Sequence, residues 1–342
     1  MIREKNKPTN EQLIELYQAA MDFKKAEPWQ HLYDGDLICV ENPVDKMVGY
    51  CSVMGKAGEH YALGVYLGDE GIAGFYDSLE NAETIPYHQA LHLQNCVMCS
   101  LEDRDQLAKQ DKEQIKALGL SFRGKNAWPL FRRYEPGYHP WFINQYECLF
   151  LTHALKQTLF VVQEVIEGRL RMNMEEGETI LRYSKKKDGK LEWYSKEITV
   201  AHPVVIFSPV EINDELLIQR VKREERIENI SFQIDTCYMP SPVQENMDER
   251  PYYPRLFLVV ETESGLIVDY HMYKKIDDDA DVTLKKLISF CLEKGVPREI
   301  QVRSVKMVAI LDDFCQKAGI KLKMVKTLPG VDQVLERMAS RI

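Results

Sequence analysis

Four residues in the first third of the chain have the types and spacing of a metal site. His88, His92, Cys96 and Cys99 read H-x3-H-x3-C-x2-C. Zinc takes imidazole nitrogen and thiolate sulfur tetrahedrally, at about 2.0–2.3 Å. The spacing argues against convergence. On one helix the four side chains do not meet on one ion. If Cys96 to Cys99 is extended, the two thiols point to opposite faces. A zinc site needs a turn at Cys-Val-Met-Cys, and no Gly or Pro supports one there. No second C-x2-C exists in the chain. The expectation is buried thiols and no cofactor.

Two other constellations fail on chemistry. Gly49 to Lys56 has the outline of a phosphate-binding loop, but five residues separate Gly49 from Gly55, not four. Ala57 stands where a Ser or Thr should hold magnesium. Cys51 and His60 could face each other across a hairpin, yet a catalytic dyad also needs an orienting third group. No Gly-x-Ser-x-Gly elbow is present.

The densest cationic and aromatic cluster is Arg132, Arg133, Tyr134, Tyr138, His139 and Trp141. These types are favoured at recognition surfaces. Pro136 and Pro140 stiffen the segment and lower the ordering cost of binding. Arg132, Arg133, Tyr138 and Trp141 are therefore candidate binding residues. The competing expectation is a structural lock against the helix that follows.

Charge supplies a second surface. The 342 residues hold 44 Lys and Arg against 53 Asp and Glu, a net charge of −9. That disfavours a generally basic nucleic-acid binder. Gly265 to Ile342 nevertheless carries 14 basic and 11 acidic residues. Arg303, Lys306, Lys317, Lys321, Lys323 and Lys326 fall around its last two strands. A basic face on an acidic protein suits nucleic acid or an acidic protein partner. It also suits a solvated face.

The composition, 45% apolar and 28% charged, is that of a folded chain. The start, Met-Ile-Arg-Glu-Lys-Asn-Lys-Pro, is not a secretory signal. No apolar run reaches the roughly 20 residues of a membrane span. The eight cysteines are spread through apolar stretches, as reduced buried thiols are. The expectation is a cytoplasmic protein without membrane contact.

The elements that must position these residues follow from periodicity. Thr9, with Gln12 three residues on, opens a helix whose face is Leu13, Leu16, Tyr17 and Ala20. Short strands are expected at 36–40, 47–54 and 61–67, a helix at 72–79 and an extended segment at 93–100. Ser100 is expected to open a polar helix closed by Gly119. The segment 134–141 leads into an apolar helix over 142–166. Boundaries are set at 1–170 and 171–342. The second part begins with a hairpin and a charged helix to 225. Strands at 230–235, 255–261 and 266–273 come next. A helix capped by Asp279 or Asp281, a strand at 299–303, a helix at 305–318, a strand at 321–325 and a helix at 331–338 complete it. The fold class is α+β: a mostly antiparallel sheet with helices, then a mixed sheet ordered β-β-β-α-β-α-β-α. The α crossovers require parallel, right-handed connections.

From Ile230 to Met338 that order resembles the ribonuclease-H-like core of integrases and transposases. The resemblance implies metal-dependent phosphoryl transfer by clustered carboxylates. It implies one aspartate on the first strand, an acid ending the fourth and an acid on a late helix. Asp235 matches the first, and Glu336 or Asp332 the third. The fourth strand ends Val302-Arg303-Ser304, so the second acid is missing. An arginine there repels metals and competes for the carboxylate. The whole chain also resembles an uncharacterised bacterial family of unknown function. That likeness rests on Gly49-Tyr50-Cys51-Ser52-Val53-Met54-Gly55, Gly58-Glu59, Pro136-Gly137, Pro140-Trp141 and Arg250-Pro251-Tyr252-Tyr253-Pro254-Arg255. The expectation is a non-catalytic binding or scaffold module. The alternative is a divergent nuclease using Asp235 and Glu336.

Overall fold

The computed structural model describes residues 6–81, 85, 87–170, 177–203, 205–246, 249–274 and 278–340. The chain divides into two compact units. One holds residues up to Glu80, Leu93–Pro136 and Pro140–Val204; the other holds Asn81–His92, Gly137–His139 and Val205–Ile342.

The first part runs α1 (Asn10–Ala26), β1 (Ile38–Glu41), β2 (Val48–Met54), β3 (Ala62–Leu67), α2 (Gly68–Glu80), α3 (Tyr87–Ala90) and β4 (Cys96–Glu102). It continues with α4 (Lys109–Ala117), β5 (Trp128–Glu135), β6 (Tyr138–Trp141), α5 (Gln145–Ile166), β7 (Glu178–Lys187) and β8 (Lys190–Thr199). The sheet order is β6-β5-β4-β3-β2-β1-β7-β8. Neighbours from β1 to β5 pair antiparallel, while β7 joins β1 in parallel.

Strand alternation builds the two faces of this sheet. Cys51, Val53, Leu63, Val65, Val97 and Cys99 face α1 and α5 in the larger core. Tyr50, Ala62, Tyr66, Cys96 and Met98 face α2. Thr9 and Gln12 make the expected capping box on α1. Asn144 and Glu147 make a second on α5.

Two local expectations are corrected, and one segment the sequence left unassigned takes a structure. Ser100 does not open a helix: β4 continues to Glu102 because Ser100 and Leu101 pair with Leu130 and Pro129. The polar helix starts later, at Lys109. The segment 128–135 is a strand, and Gly137, with φ of 83°, turns the chain toward β6. The hairpin β7–β8 extends the first sheet through β1, where the sequence suggested the second part.

The second part runs α6 (Glu215–Arg223), β9 (Arg226–Tyr238), β10 (Arg255–Glu261), β11 (Ile267–Tyr273) and α7 (Asp279–Lys294). β12 (Val296–Val302), α8 (Val305–Ala318), β13 (Lys321–Met324) and α9 (Pro329–Ala339) complete it. The sheet order is β11-β10-β9-β12-β13. β10 is antiparallel to β9 and β11; β12 is parallel to β9 and β13. Phe232, Ile234, Phe257 and Ile300 pack with α7 and α8 on one face. Cys237, Leu256, Leu258 and Val260 pack with α9 on the other. The chain is thus α+β with two mixed sheets. No helix among the described residues is long and apolar enough to cross a membrane.

Candidate functional site

The polar side chains of the second unit collect where β9 and β12 end. Both strands run the same way, so their C-terminal ends open on one edge of the sheet. Alternation along β9 sends Asp235 toward α9 and Thr236 toward α7 and α8. Each face carries its own ionic cluster.

On the α9 face, Asp235 is buried. Arg303, the residue after β12, places Nε 2.7 Å from Asp235 Oδ2. The same guanidinium reaches Asp332 in the first turn of α9, with Nη1 2.5 Å from Oδ1. The Thr236 N–H donates to Asp235 Oδ1 at 2.9 Å. Burial acts most strongly on Asp235 and raises its carboxyl above the ordinary aspartate value; Arg303 opposes it incompletely. Burial also works against the charge on Arg303, but Asp235 and Asp332 outweigh it and hold the guanidinium charged.

On the α7–α8 face, Asp279 accepts five donors. Arg255 contributes Nε at 3.0 Å and Nη2 at 2.6 Å. The Tyr273 hydroxyl stands at 2.5 Å, Lys306 Nζ at 2.7 Å and Thr236 Oγ1 at 3.3 Å. Burial alone would raise the Asp279 carboxyl, yet the donors win and hold it below the usual range. The sequence suggested Asp279 or Asp281 as a helix cap. Asp279 instead sits inside the first turn as the counter-ion of Arg255, and Asp281 pairs with Lys285 at 2.7 Å.

The three acids suggested by the resemblance separate. Asp235 and Asp332 meet on one guanidinium, while Glu336 lies exposed one turn further along α9. The basic residues separate too. Arg303 and Lys306 are drawn inward by these carboxylates, whereas Lys321, Lys323 and Lys326 are exposed. Lys321 pairs with Glu299 at 2.7 Å.

In the first unit, Arg132 binds Asp111 through two nitrogens, at 2.9 and 2.6 Å, with its guanidinium 4.6 Å from the Phe142 ring centre. Arg133 lies 3.3 Å from Glu147 and donates to Asn95 at 2.6 Å. Trp141 meets Phe142 edge-on. In the second unit, Tyr138 is exposed, with the Arg250 guanidinium 4.9 Å over its ring.

Cys96 and Cys99 lie on opposite faces of β4, one in each core. His92 Nδ1 accepts the Gly137 N–H at 3.3 Å, and its ring packs against Tyr238 and Tyr253. The His88 side chain lies outside the described residues. Among the described residues, no group of three or more His, Cys, Asp or Glu is placed to hold a metal ion.

Sequence reasoning missed the Arg255–Asp279–Tyr273 cluster. Arg255 ends the quoted Arg250–Arg255 stretch, but its carboxylate lies 24 residues away on another element.

Residues 14–182 match the model of a domain of unknown function, DUF7309. Residues 217–339 match a second such domain, DUF6930. No curated protein matches the chain.

Proposed function

We propose that this chain is a non-catalytic binding or scaffold protein of the bacterial cytoplasm. Its second unit is of the ribonuclease-H-like kind, with the catalytic centre given up. The order β11-β10-β9-β12-β13 and the parallel pairing of β9 with β12 support the fold reading. The single observation that carries the functional reading is Arg303. Two-metal phosphoryl transfer needs carboxylates that offer oxygen to hard cations. Here one guanidinium occupies both Asp235 and Asp332. Removing it to admit metal would strand a buried acid.

The surface best suited to a partner is the β13 edge. Lys323 and Lys326 are exposed there, beside Lys321. That chemistry fits the phosphates of a nucleic acid. Arg132 and Arg133 fit less well, since each already holds a carboxylate.

The test is an anisotropy titration of the full chain against single- and double-stranded DNA and RNA oligonucleotides, with magnesium, at low and moderate salt. Binding that weakens steeply with salt supports the phosphate reading. Cleavage lost in Asp235→Asn would overturn the non-catalytic assignment. Absence of binding at low salt would remove nucleic acid as the partner. A protein partner would then be sought by pull-down with the chain and a Lys323→Glu/Lys326→Glu variant.

A further inference from the structure

The two ionic clusters of the second unit are unequal in charge. On the α9 face one cation, Arg303, serves two carboxylates. On the α7–α8 face two cations, Arg255 and Lys306, share the single carboxylate of Asp279. The second cluster therefore holds one positive charge more than negative. Asp279 is already saturated by donors, so it offers nothing to a further cation.

Lys306 and Asp279 of this cluster face a pocket of about 400 Å³, and Arg255 stays behind them. That volume is within the range of small-molecule sites, about 300–1,000 Å³. Phe207, Val210, Ala309 and Ile310 supply apolar walls, and Ser208, Lys306 and the donor-saturated carboxylate of Asp279 supply the polar groups. The wall before α6 is fastened to α8. The Val210 N–H donates to the Ala309 carbonyl at 2.9 Å, and the Ile212 N–H donates to Asp313 Oδ2 at 2.8 Å. Lys317 Nζ donates back to the Ile212 carbonyl at 3.0 Å.

We propose that this pocket binds a small monocarboxylate with an apolar body. The ammonium of Lys306 has three donors, and Asp279 takes one of them. A ligand carboxylate can accept another, with the Ser208 hydroxyl as a second donor. The apolar walls take the body. A dianion such as phosphate fits worse, because Arg255 is buried behind Asp279 and, among the described residues, Lys306 is the one cation in the lining and stands beside the Asp279 carboxylate. The proposal uses a different part of the unit from the β13 edge and does not depend on nucleic-acid binding.

The experiment is isothermal titration of the full chain with sodium hexanoate and, separately, sodium benzoate, at matched ionic strength and up to about 10 mM probe. The expected result is saturable one-site binding of at least one probe. Neutral 1-hexanol should bind at least about tenfold more weakly, because it lacks the charge that Lys306 recognises. Lys306→Met should weaken binding by a similar factor. Ala309→Phe fills the pocket, leaves the ionic cluster intact and should abolish binding, with an unchanged circular dichroism spectrum as the folding control. No saturable binding of either acid, equal binding of hexanol, or undiminished binding by Ala309→Phe would each overturn the proposal.

Discussion

Arg303 stands between Asp235 and Asp332, 2.7 Å from the first carboxylate and 2.5 Å from the second. It joins the end of β12 to the C-terminal end of β9 and to the start of α9. A guanidinium does this well, because its planar fork offers donors in several directions at fixed geometry. The pairing also neutralises an aspartate that the fold has removed from water.

Replacing the cation exposes that dependence. Arg303→Gln leaves Asp235 buried without its charge partner, at a cost of about 3–5 kcal/mol. Urea unfolding of the variant should show a lower midpoint with little change in slope. Arg303→Gln combined with Asp235→Asn removes the buried charge along with its partner and should recover part of the loss. If the single variant lost less than about 1 kcal/mol, the guanidinium would not be the group that compensates Asp235.

Local elements were legible wherever periodicity and caps agreed. The helix from Val305 to Ala318 has the bounds expected from Val308, Leu311, Cys315 and the closing Gly319. Thr9 and Gln12 announced α1 just as directly. Strand β5 was not assigned from the sequence, where Arg132 and Arg133 drew the segment toward a recognition surface. Their partners, Asp111 and Glu147, lie 21 and 14 residues away and only meet them through folding. The candidate site was half legible for the same reason. Asp235 could be placed on a strand from alternation alone, and the arginine after β12 was plain in the sequence. That Asp332, rather than Glu336, faces that arginine depends on how α9 rotates against the sheet. No local pattern encodes that rotation.

The acid limb of stability should trace to Asp279. Its native carboxyl lies below the ordinary value of 3.8, chiefly through Arg255 acting against burial. The stabilisation is therefore complete above pH 3.8 and is lost as the pH falls further through the native value. Asp235 has the opposite sign, since its native carboxyl is raised. Above 3.8, mild acidification that protonates Asp235 favours the folded state. Thermal unfolding followed downward from about pH 6 should hold or rise slightly until about pH 4, as Asp235 takes up its proton, and then fall. Asp279→Asn should lower the melting temperature at neutral pH and flatten that final fall. A variant with the same acid limb as the parent would assign it elsewhere.

Gly330 sets how closely α9 approaches the sheet. A Cβ there would lie 2.8 Å from Val260 Cγ1 and 3.0 Å from Gln233 Oε1. The Gly330 N–H also donates to that same oxygen at 2.9 Å. Gly330→Ala must push the helix outward, at about 1–3 kcal/mol. The shift should loosen Asp332 from Arg303. A double-mutant cycle of Gly330→Ala with Asp332→Asn should therefore give a coupling of at least about 0.5 kcal/mol, and additivity would separate the helix position from the ion pair.

All eight cysteines are buried as free thiols. Burial pushes Cys51, Cys96, Cys148, Cys237, Cys291 and Cys315 up to about 12, and it raises Cys39 and Cys99 further. The thiolate is the reactive species, so the folded chain should barely react with an aromatic disulfide reagent at about pH 8. The unfolded chain should titrate all eight thiols. Rapid reaction of one thiol in the folded chain would mark a local opening at that position.

Lys323 and Lys326 provide the sharpest separation of the two basic regions. Both are exposed at the β13 edge, so charge reversal there should leave stability within about 0.5 kcal/mol. If phosphates meet this edge, removing each contact should lower the salt dependence of binding by about one phosphate equivalent. The Lys323→Glu/Lys326→Glu variant should then show a slope smaller by about two. Arg132→Gln should behave in the opposite way. Its guanidinium is bound by Asp111 at the edge of a core, so its loss should lower the unfolding midpoint and leave the salt slope unchanged. Salt-series anisotropy on all three proteins decides between the regions. A slope that responds to Arg132 but not to the lysines would move the interface to the β5–β6 hairpin.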